Sequence, residues 1–312
     1  MTQKTVYVTL SEFCKNDETP RRILKEAGYT ILENTSGRRI KKEEMFDALK
    51  NADAVVAAVE PYEAELLQKL PKLKVISRLG VGTDAIDLEA AKKLGIEVTI
   101  TVEEIVAPVA EMTVAMILGL VRNFPLHAND FAKGEWKKHT GFLLSELNIG
   151  LIGFGRIART VERFLKPFGT KVRVMDPFVK KESLPEGVDL CSLEELLKKS
   201  DIVSLHAARS PKEGFLLSIK EFSLMKPGSF LVNTARGYMV DEKALEAALL
   251  SKQLAGCALD VFEEEPYAGP LAKFPNVLLT PHVGTLTRGS RTAMEIRCAE
   301  NVVNFFKKQE VL

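Results

Sequence analysis

Leu147-Asn148-Ile149-Gly150-Leu151-Ile152-Gly153-Phe154-Gly155-Arg156-Ile157-Ala158, continued by Val172-Arg173-Val174-Met175-Asp176, is the stretch whose reading decides the fold. The apolar run 149–152 has the character of a buried parallel strand. Gly153 and Gly155 follow at once. Ile157, Val161, Phe164 and Leu165 then recur at helical spacing, Gly169 ends that segment, and 171–175 reads as a second strand. This order of strand, glycine turn, helix, strand and acid suits a dinucleotide. Gly153 permits the tight turn, and Gly155 lets the backbone approach a pyrophosphate. The helix N-terminus offers unpaired N–H groups and a positive dipole end to that anion. Asp176 lies about twenty residues beyond the glycines, where a carboxylate accepts hydrogen bonds from the adenosine ribose. It would repel a 2′-phosphate, so the expected cofactor is NAD rather than NADP. Ala158 stands where the third glycine of the fingerprint falls, a substitution the pattern tolerates.

Working outward, 312 residues suit one large domain or two ordinary ones, and 46% hydrophobic residues are enough for a sizeable core. A net charge of +1, from 43 basic and 42 acidic residues, argues against a nucleic-acid partner. Cys14, Cys191, Cys257 and Cys298 form no Cys-x-x-Cys pair. They read as reduced, packed thiols of a cytoplasmic protein, and no metal is expected. The N-terminus runs into a strand with no signal-peptide pattern. The most apolar helix, 106–121, carries Pro108 and Glu111 and reads as too short to cross a bilayer, so no membrane partner is expected.

Before the glycine unit, the strand segments 6–10, 29–32, 54–59, 73–77 and 96–101 alternate with helical ones. Those helical segments are one starting at Thr19-Pro20 (Thr19 as N-cap) and closed by Gly28, then 41–50, 63–70 and 87–94. Such alternation predicts a second parallel sheet covered by helices. A long buried helix, 105–122, bridges into the glycine unit, and 131–136 is a short segment before it. Beyond Asp176 come a helix at 192–199 with a Ser192/Glu195 capping box, strands at 201–206 and 229–233, a helix at 241–251, strands at 256–260 and 277–280, and a final helix at 288–308. The final helix, with Ile296, Ala299, Val303 and Phe306 on one side, is expected to pack back on the first domain.

The strand ends carry the chemistry. Arg78-Leu79-Gly80-Val81-Gly82 follows the fourth strand, where loops of an open parallel sheet line the ligand crevice. Glycines there let a ligand reach the backbone, and Arg78 suits an acid or phosphate group. Three later strands end in Asn233-Thr234-Ala235-Arg236-Gly237, Asp260-Val261-Phe262-Glu263-Glu264-Glu265-Pro266 and Thr280-Pro281-His282-Val283-Gly284. An Arg, a carboxylate and a His are what hydride transfer on a 2-hydroxy or 2-oxo acid needs. Arg236 would fork onto the substrate carboxylate. His282 would take the hydroxyl proton during oxidation and return it during reduction. One of the three glutamates would stabilise the imidazolium and fix its tautomer.

These segments, together with Val109-Ala110-Glu111-Met112-Thr113, resemble the D-isomer-specific 2-hydroxyacid dehydrogenase family, and most of all its phosphoglycerate dehydrogenase branch. They come in the family's order and cover nearly the whole chain. The resemblance implies an α/β protein of two doubly wound parallel-sheet domains, with a Rossmann cofactor domain (101–285) inserted in a flavodoxin-like substrate domain (1–100 and 286–312). It implies Glu265 as the partner of His282, and Arg236, Glu265 and His282 as the catalytic set. Cofactor contacts are implied for Gly153, Gly155, Arg156, Ile157, Asp176, His206, Thr234, Ala235, Asp260, His282 and Gly284, with Thr234 and Asp260 on the nicotinamide side. Arg78, Leu79, Gly80, Val81 and Arg236 are the implied substrate contacts, and a homodimer held largely by the cofactor domains is implied as well.

The expected activity is NAD-dependent hydride transfer at C2 of a D-2-hydroxy acid or 2-oxo acid, with 3-phosphoglycerate/phosphohydroxypyruvate foremost. A glyoxylate/hydroxypyruvate-type reductase and a non-catalytic dinucleotide-sensing protein are the alternatives. Formate dehydrogenases, which pair the His with Gln, are disfavoured by Glu265. Two departures from the family stand out. Its His-x-Pro-x-Thr after the 201–206 strand is here His206-Ala207-Ala208-Arg209-Ser210, and with the sequence ending at Leu312, serine feedback through a regulatory tail is not expected.

Overall fold

The computed structural model describes residues 3–209 and 211–311, and the backbone divides into two compact units, Met1–Ile105 with Thr285–Leu312, and Val106–Gly284. The first begins with β1 (Thr5–Val8), α1 (Thr19–Glu26), β2 (Thr30–Glu33), α2 (Met45–Leu49), β3 (Ala54–Ala57), α3 (Ala64–Gln68), β4 (Val75–Arg78), α4 (Leu88–Lys93) and β5 (Glu97–Ile100). The second contains α5 (Val106–Val121), α6 (Phe124–Ala132), β6 (Asn148–Ile152), α7 (Arg156–Leu165), β7 (Lys171–Met175), β8 (Val188–Leu190), α8 (Leu193–Lys199), β9 (Ile202–Leu205), α9 (Ile219–Leu224), β10 (Ser229–Asn233), α10 (Glu242–Leu250), β11 (Leu254–Leu259) and β12 (Val277–Leu279). Helix α11 (Arg288–Val311) then returns to the first unit.

The first unit is a five-stranded parallel sheet in the order β2-β1-β3-β4-β5, the flavodoxin-like doubly wound order. Its core includes Met45, Leu49, Val55, Tyr62, Leu67, Ile76 and Ile86. Helix α11 packs on α1, β3 and β4. Glu295 on it is almost fully buried because its carboxylate accepts the Cys14 N–H (2.9 Å) and pairs with Arg291 (3.0 Å). Residues 101–105 stay with this unit rather than crossing at 100. The Thr101 N–H donates to Gly80 O, and Ser290 and Arg297 of α11 hold Glu104.

The second unit is a seven-stranded parallel sheet, β12-β11-β10-β9-β6-β7-β8, the Rossmann order extended by one strand. Its central strands read as near-continuous apolar runs because helices cover both faces; β9 and β10 are buried at every position, whereas β7 and β8 toward the edge carry Lys171, Arg173 and Asp189. Apolar clusters lie on the two sides of the sheet, one built on α5 and α7, the other on α8, α9 and α10. The helical run Glu103–Val121 is long and apolar enough to cross a bilayer, against the expectation from its length; here it packs on α7 and on β10, β11 and β12.

Local differences from the sequence reading have local causes. Thr19 is the first residue of α1 rather than its cap, because Asp17 already accepts its N–H. The capping box of α8 is half formed: Ser192 accepts the Glu195 N–H, but the Glu195 carboxylate is drawn to Lys199. The segment 41–50 splits into a 3₁₀ turn and the short α2. Helices α6 and α9 and strand β8 carry no signal long enough to read.

Candidate active site

Register brings the predicted loops to one rim of the second sheet. Met175 pairs with Ile152, Ile152 with Leu205, Leu205 with Asn233, Asn233 with Leu259, and Leu259 with Leu279. The next residue on each strand therefore stands at one level: Asp176, Gly153, His206, Thr234, Asp260 and Thr280. Strands β7 and β8 are added on one side of β6 and β9 to β12 on the other, so the strand order reverses between β6 and β9, the switch point where doubly wound sheets bind their ligands.

At that point the two glycines do different work. Gly153 has φ +89°, and a Cβ on it would lie 2.6–2.7 Å from backbone atoms of His206 and Ala207. A side chain on Gly155 would meet only open space, beside a ten-residue helix whose first turn has no side-chain cap. That uncapped helix start, with the positive end of its dipole, fits a pyrophosphate. Arg156 and Ile157 open α7, and Ala158 is fully buried, which suits the tight seat of α7 on α5. The Asp176 carboxylate accepts the Phe154 N–H (2.7 Å) and the Phe178 N–H (2.8 Å), so it shapes the glycine turn from across the crevice. His206 meets the Ser204 hydroxyl at 2.9 Å, and burial pushes its imidazole down to about 4, which keeps it neutral.

The Arg236 turn is braced by Asn233, which is buried. Its amide oxygen accepts the Ala235 N–H (3.0 Å) and its NH2 donates to Arg236 O (2.9 Å). Gly237 follows because a Cβ there would lie 1.8 Å from the Phe262 carbonyl carbon. The Arg236 turn is thus pressed against the loop that carries Glu265. His282 Nδ1 lies 2.8 Å from one Glu265 oxygen and 3.1 Å from the other, and both side chains are partly exposed. His282 sits in the left-handed region, φ +54°, an uncommon conformation for a residue with a side chain. Asp260 explains how it is held. One carboxylate oxygen accepts the Thr280 hydroxyl (2.6 Å) and the Val283 N–H (2.8 Å), and the other accepts the Gly284 N–H (2.8 Å). Asp260, almost fully buried, thereby ties down both sides of His282, a role its sequence position alone did not reveal.

Sequence reading had no account of Arg209 in the altered 206–210 loop; Ser210 lies outside the described residues. The Arg209 carbonyl accepts the Tyr238 hydroxyl (2.7 Å), and its guanidinium donates to Glu213 O (2.7 Å). The loop is therefore pinned to the turn that follows Arg236. Asn233 and Tyr238 were also passed over. An Asn at a strand end, where its side chain mimics a turn, was the available signal for the first.

In the first unit, Arg78 turns onto its own loop, donating to Gly82 O (3.1 Å) and to Leu79 O. Gly80, φ +128°, gives its N–H to the Thr101 hydroxyl (2.8 Å), and Leu79 is buried. Val81 and Gly82 keep N–H groups that make no hydrogen bond among the described residues. Also among the described residues, no three His, Cys, Asp or Glu side chains are grouped to hold a metal ion.

Residues 114–284 match the D-isomer specific 2-hydroxyacid dehydrogenase, NAD binding domain. The chain belongs to that family. It is 38% identical over 276 residues to a glyoxylate reductase of Thermococcus litoralis, covering 84% of this chain and 83% of that protein. It is 38% identical over 301 residues to a D-3-phosphoglycerate dehydrogenase of Methanocaldococcus jannaschii, covering 91% of this chain and 57% of that protein. The structure of a D-lactate dehydrogenase from Aquifex aeolicus, complexed with NAD and lactic acid, superposes with a TM-score of 0.84 at 31% identity over 98% of this chain and 96% of that one. The family fold and the NAD-binding domain follow directly, and relatives of both the glyoxylate reductase and the phosphoglycerate dehydrogenase kind occur.

Proposed function

We propose that this dehydrogenase reduces a short, unphosphorylated 2-oxo acid of the glyoxylate or hydroxypyruvate class with NADH, through Arg236, Glu265 and His282. The observation that carries the reading is the His282–Glu265 pair held on the same sheet rim as the glycine turn. Bound NADH supplies the hydride. Arg236 grips the substrate carboxylate and polarises the carbonyl beside it. With Nδ1 held by Glu265, His282 Nε2 is the nitrogen left to give a proton to the carbonyl oxygen in reduction and to take it from the hydroxyl in oxidation. Val81 and Gly82 are the backbone donors offered to the acid group in the first unit. Arg78 and Arg236 both donate to carbonyls of their own loops, and the glyoxylate reductases among the relatives, matched over most of their length, support an unphosphorylated acid ahead of phosphohydroxypyruvate. Gly153, Gly155, Arg156, Ile157 and Asp176 are assigned to the pyrophosphate and ribose. His206, Thr234, Ala235, Asp260 and Gly284 are assigned to the nicotinamide half.

We further propose a cytoplasmic homodimer. Its support is the exposed apolar group Phe124, Phe131, Trp136, Phe142 and Leu143, all within 124–143 of the NAD-binding unit, together with four free thiols.

The test is NADH oxidation, followed by absorbance, against glyoxylate, hydroxypyruvate, phosphohydroxypyruvate, pyruvate and branched 2-oxo acids. Turnover of a short acid that disappears in His282→Ala supports the reading. Preference for phosphohydroxypyruvate overturns the substrate class. Activity surviving in the variant overturns the role of His282, and tight NADH binding without any turnover favours a dinucleotide-sensing protein.

A further inference from the structure

We infer that Thr113, a residue outside the catalytic set, acts as a positioning residue: it makes Thr234 a pure hydrogen-bond acceptor, one that selects the amide NH2 of the nicotinamide. The inference rests on the reading that puts Thr234 on the nicotinamide side of the rim. Thr113 lies in α5, fully buried, and its hydroxyl is 2.8 Å from the carbonyl oxygen of Val109, one turn earlier. A carbonyl oxygen only accepts, so the single hydroxyl hydrogen of Thr113 is committed to it. The same hydroxyl lies 2.8 Å from that of Thr234. Between two hydroxyls either can donate, but Thr113 has no hydrogen left. Thr234 therefore donates to Thr113, retains oxygen lone pairs and has no hydrogen to offer a ligand. The same turn of α5 touches the neighbouring part of the rim: Val109 Cγ2 is 3.5 Å from the position a Cβ on Gly284 would take, and the Gly284 N–H is bonded to Asp260.

An acceptor at this point suits a primary amide, which can turn its NH2 toward it. It mismatches an acetyl group, whose oxygen only accepts and whose methyl cannot donate. In a chain lacking the Thr113 hydroxyl, the Thr234 hydrogen is released and Thr234 serves either ligand.

The test is calorimetric binding of NAD⁺ and of 3-acetylpyridine adenine dinucleotide, in which a methyl replaces the amide NH2. Wild type and Thr113→Ser are expected to favour NAD⁺ by about tenfold, the worth of one neutral hydrogen bond. Thr113→Val is expected to lose most of that preference, as is Thr234→Val. Thr113→Ala removes the same hydroxyl with less bulk, and thermal unfolding checks that each variant is folded. A wild-type preference kept in Thr113→Val and Thr113→Ala but lost in Thr234→Val overturns the role of Thr113 while leaving Thr234 where it is placed. A wild-type preference kept in Thr234→Val overturns the placement of Thr234, and the inference with it.

Discussion

His282 and its neighbours show how much a single backbone position decides. Its left-handed φ persists because Asp260 holds the residues on both sides, so the imidazole is presented by a fixed turn rather than a loose loop. Removing the imidazole in His282→Ala should lower kcat by about 10²- to 10⁴-fold, the usual worth of a positioned proton donor, with NADH binding retained. Arg236→Lys keeps the charge and loses the planar fork, so the KM for the oxo acid should rise about tenfold or more in steady-state kinetics. Gly237→Ala places a methyl against the Phe262 carbonyl, and backbone on one side must move. A loss of about 1–3 kcal/mol in denaturant unfolding is expected, together with reduced kcat as the Arg236 and Glu265 turns separate. His282 and Arg236 were legible in the sequence as chemistry; the close approach of Gly237 to Phe262 was not. Asn233 and Asp260 were not legible as braces, because bracing depends on which N–H groups the fold brings near.

At the scale of elements, β6, α7 and β7 were readable almost to the residue, since strand and helix periods alternate cleanly there and Gly169 marks the stop. Helix α6 was not. It begins with Phe124 and Pro125, ends within nine residues and leaves Phe124 and Phe131 largely exposed, so no apolar stripe marks it. Capping was legible at Ser192, whereas Asp87 and Asp241, read as the first residues of their helices, prove to be their N-caps. It failed at Thr19, where Asp17 takes the N–H first. Asp241 accepts the Lys243 and Ala244 N–H groups at the start of α10, so Asp241→Ala should cost about 1 kcal/mol in thermal unfolding. At the end of β7, Asp176→Ser removes the carboxylate that disfavours a 2′-phosphate. The ratio of NADH to NADPH Kd values, read by fluorescence titration, should move toward NADPH by about tenfold or more.

For the molecule as a whole, acid should reveal the buried imidazole of His206. Its folded value of about 4 lies below the ordinary unfolded value of about 6.5, so the unfolded chain binds the extra proton between them. Stability from this group is complete above about pH 6.5 and is lost as pH falls toward 4, about 3 kcal/mol in all. Glu242 and Glu295, pushed up by burial, act in the opposite direction. The contribution should therefore appear as a difference: wild type losing more stability than His206→Asn between pH 7 and pH 4.5 in thermal scans. What the sequence by itself determined is the chemistry and its order along the chain: a glycine turn and acid for NAD, an Arg, a Glu and a His at successive strand ends, and two alternating α/β patterns. These are local signals, carried by residue type and spacing. What only the tertiary structure decided is the level at which those strand ends stand, the turning of Arg78 onto its own loop, and the hydrogen bonds by which Asp260, Asn233 and Thr113 set the site. Register, backbone close approach and proton donors are shared between segments far apart in the chain, so no single segment encodes them.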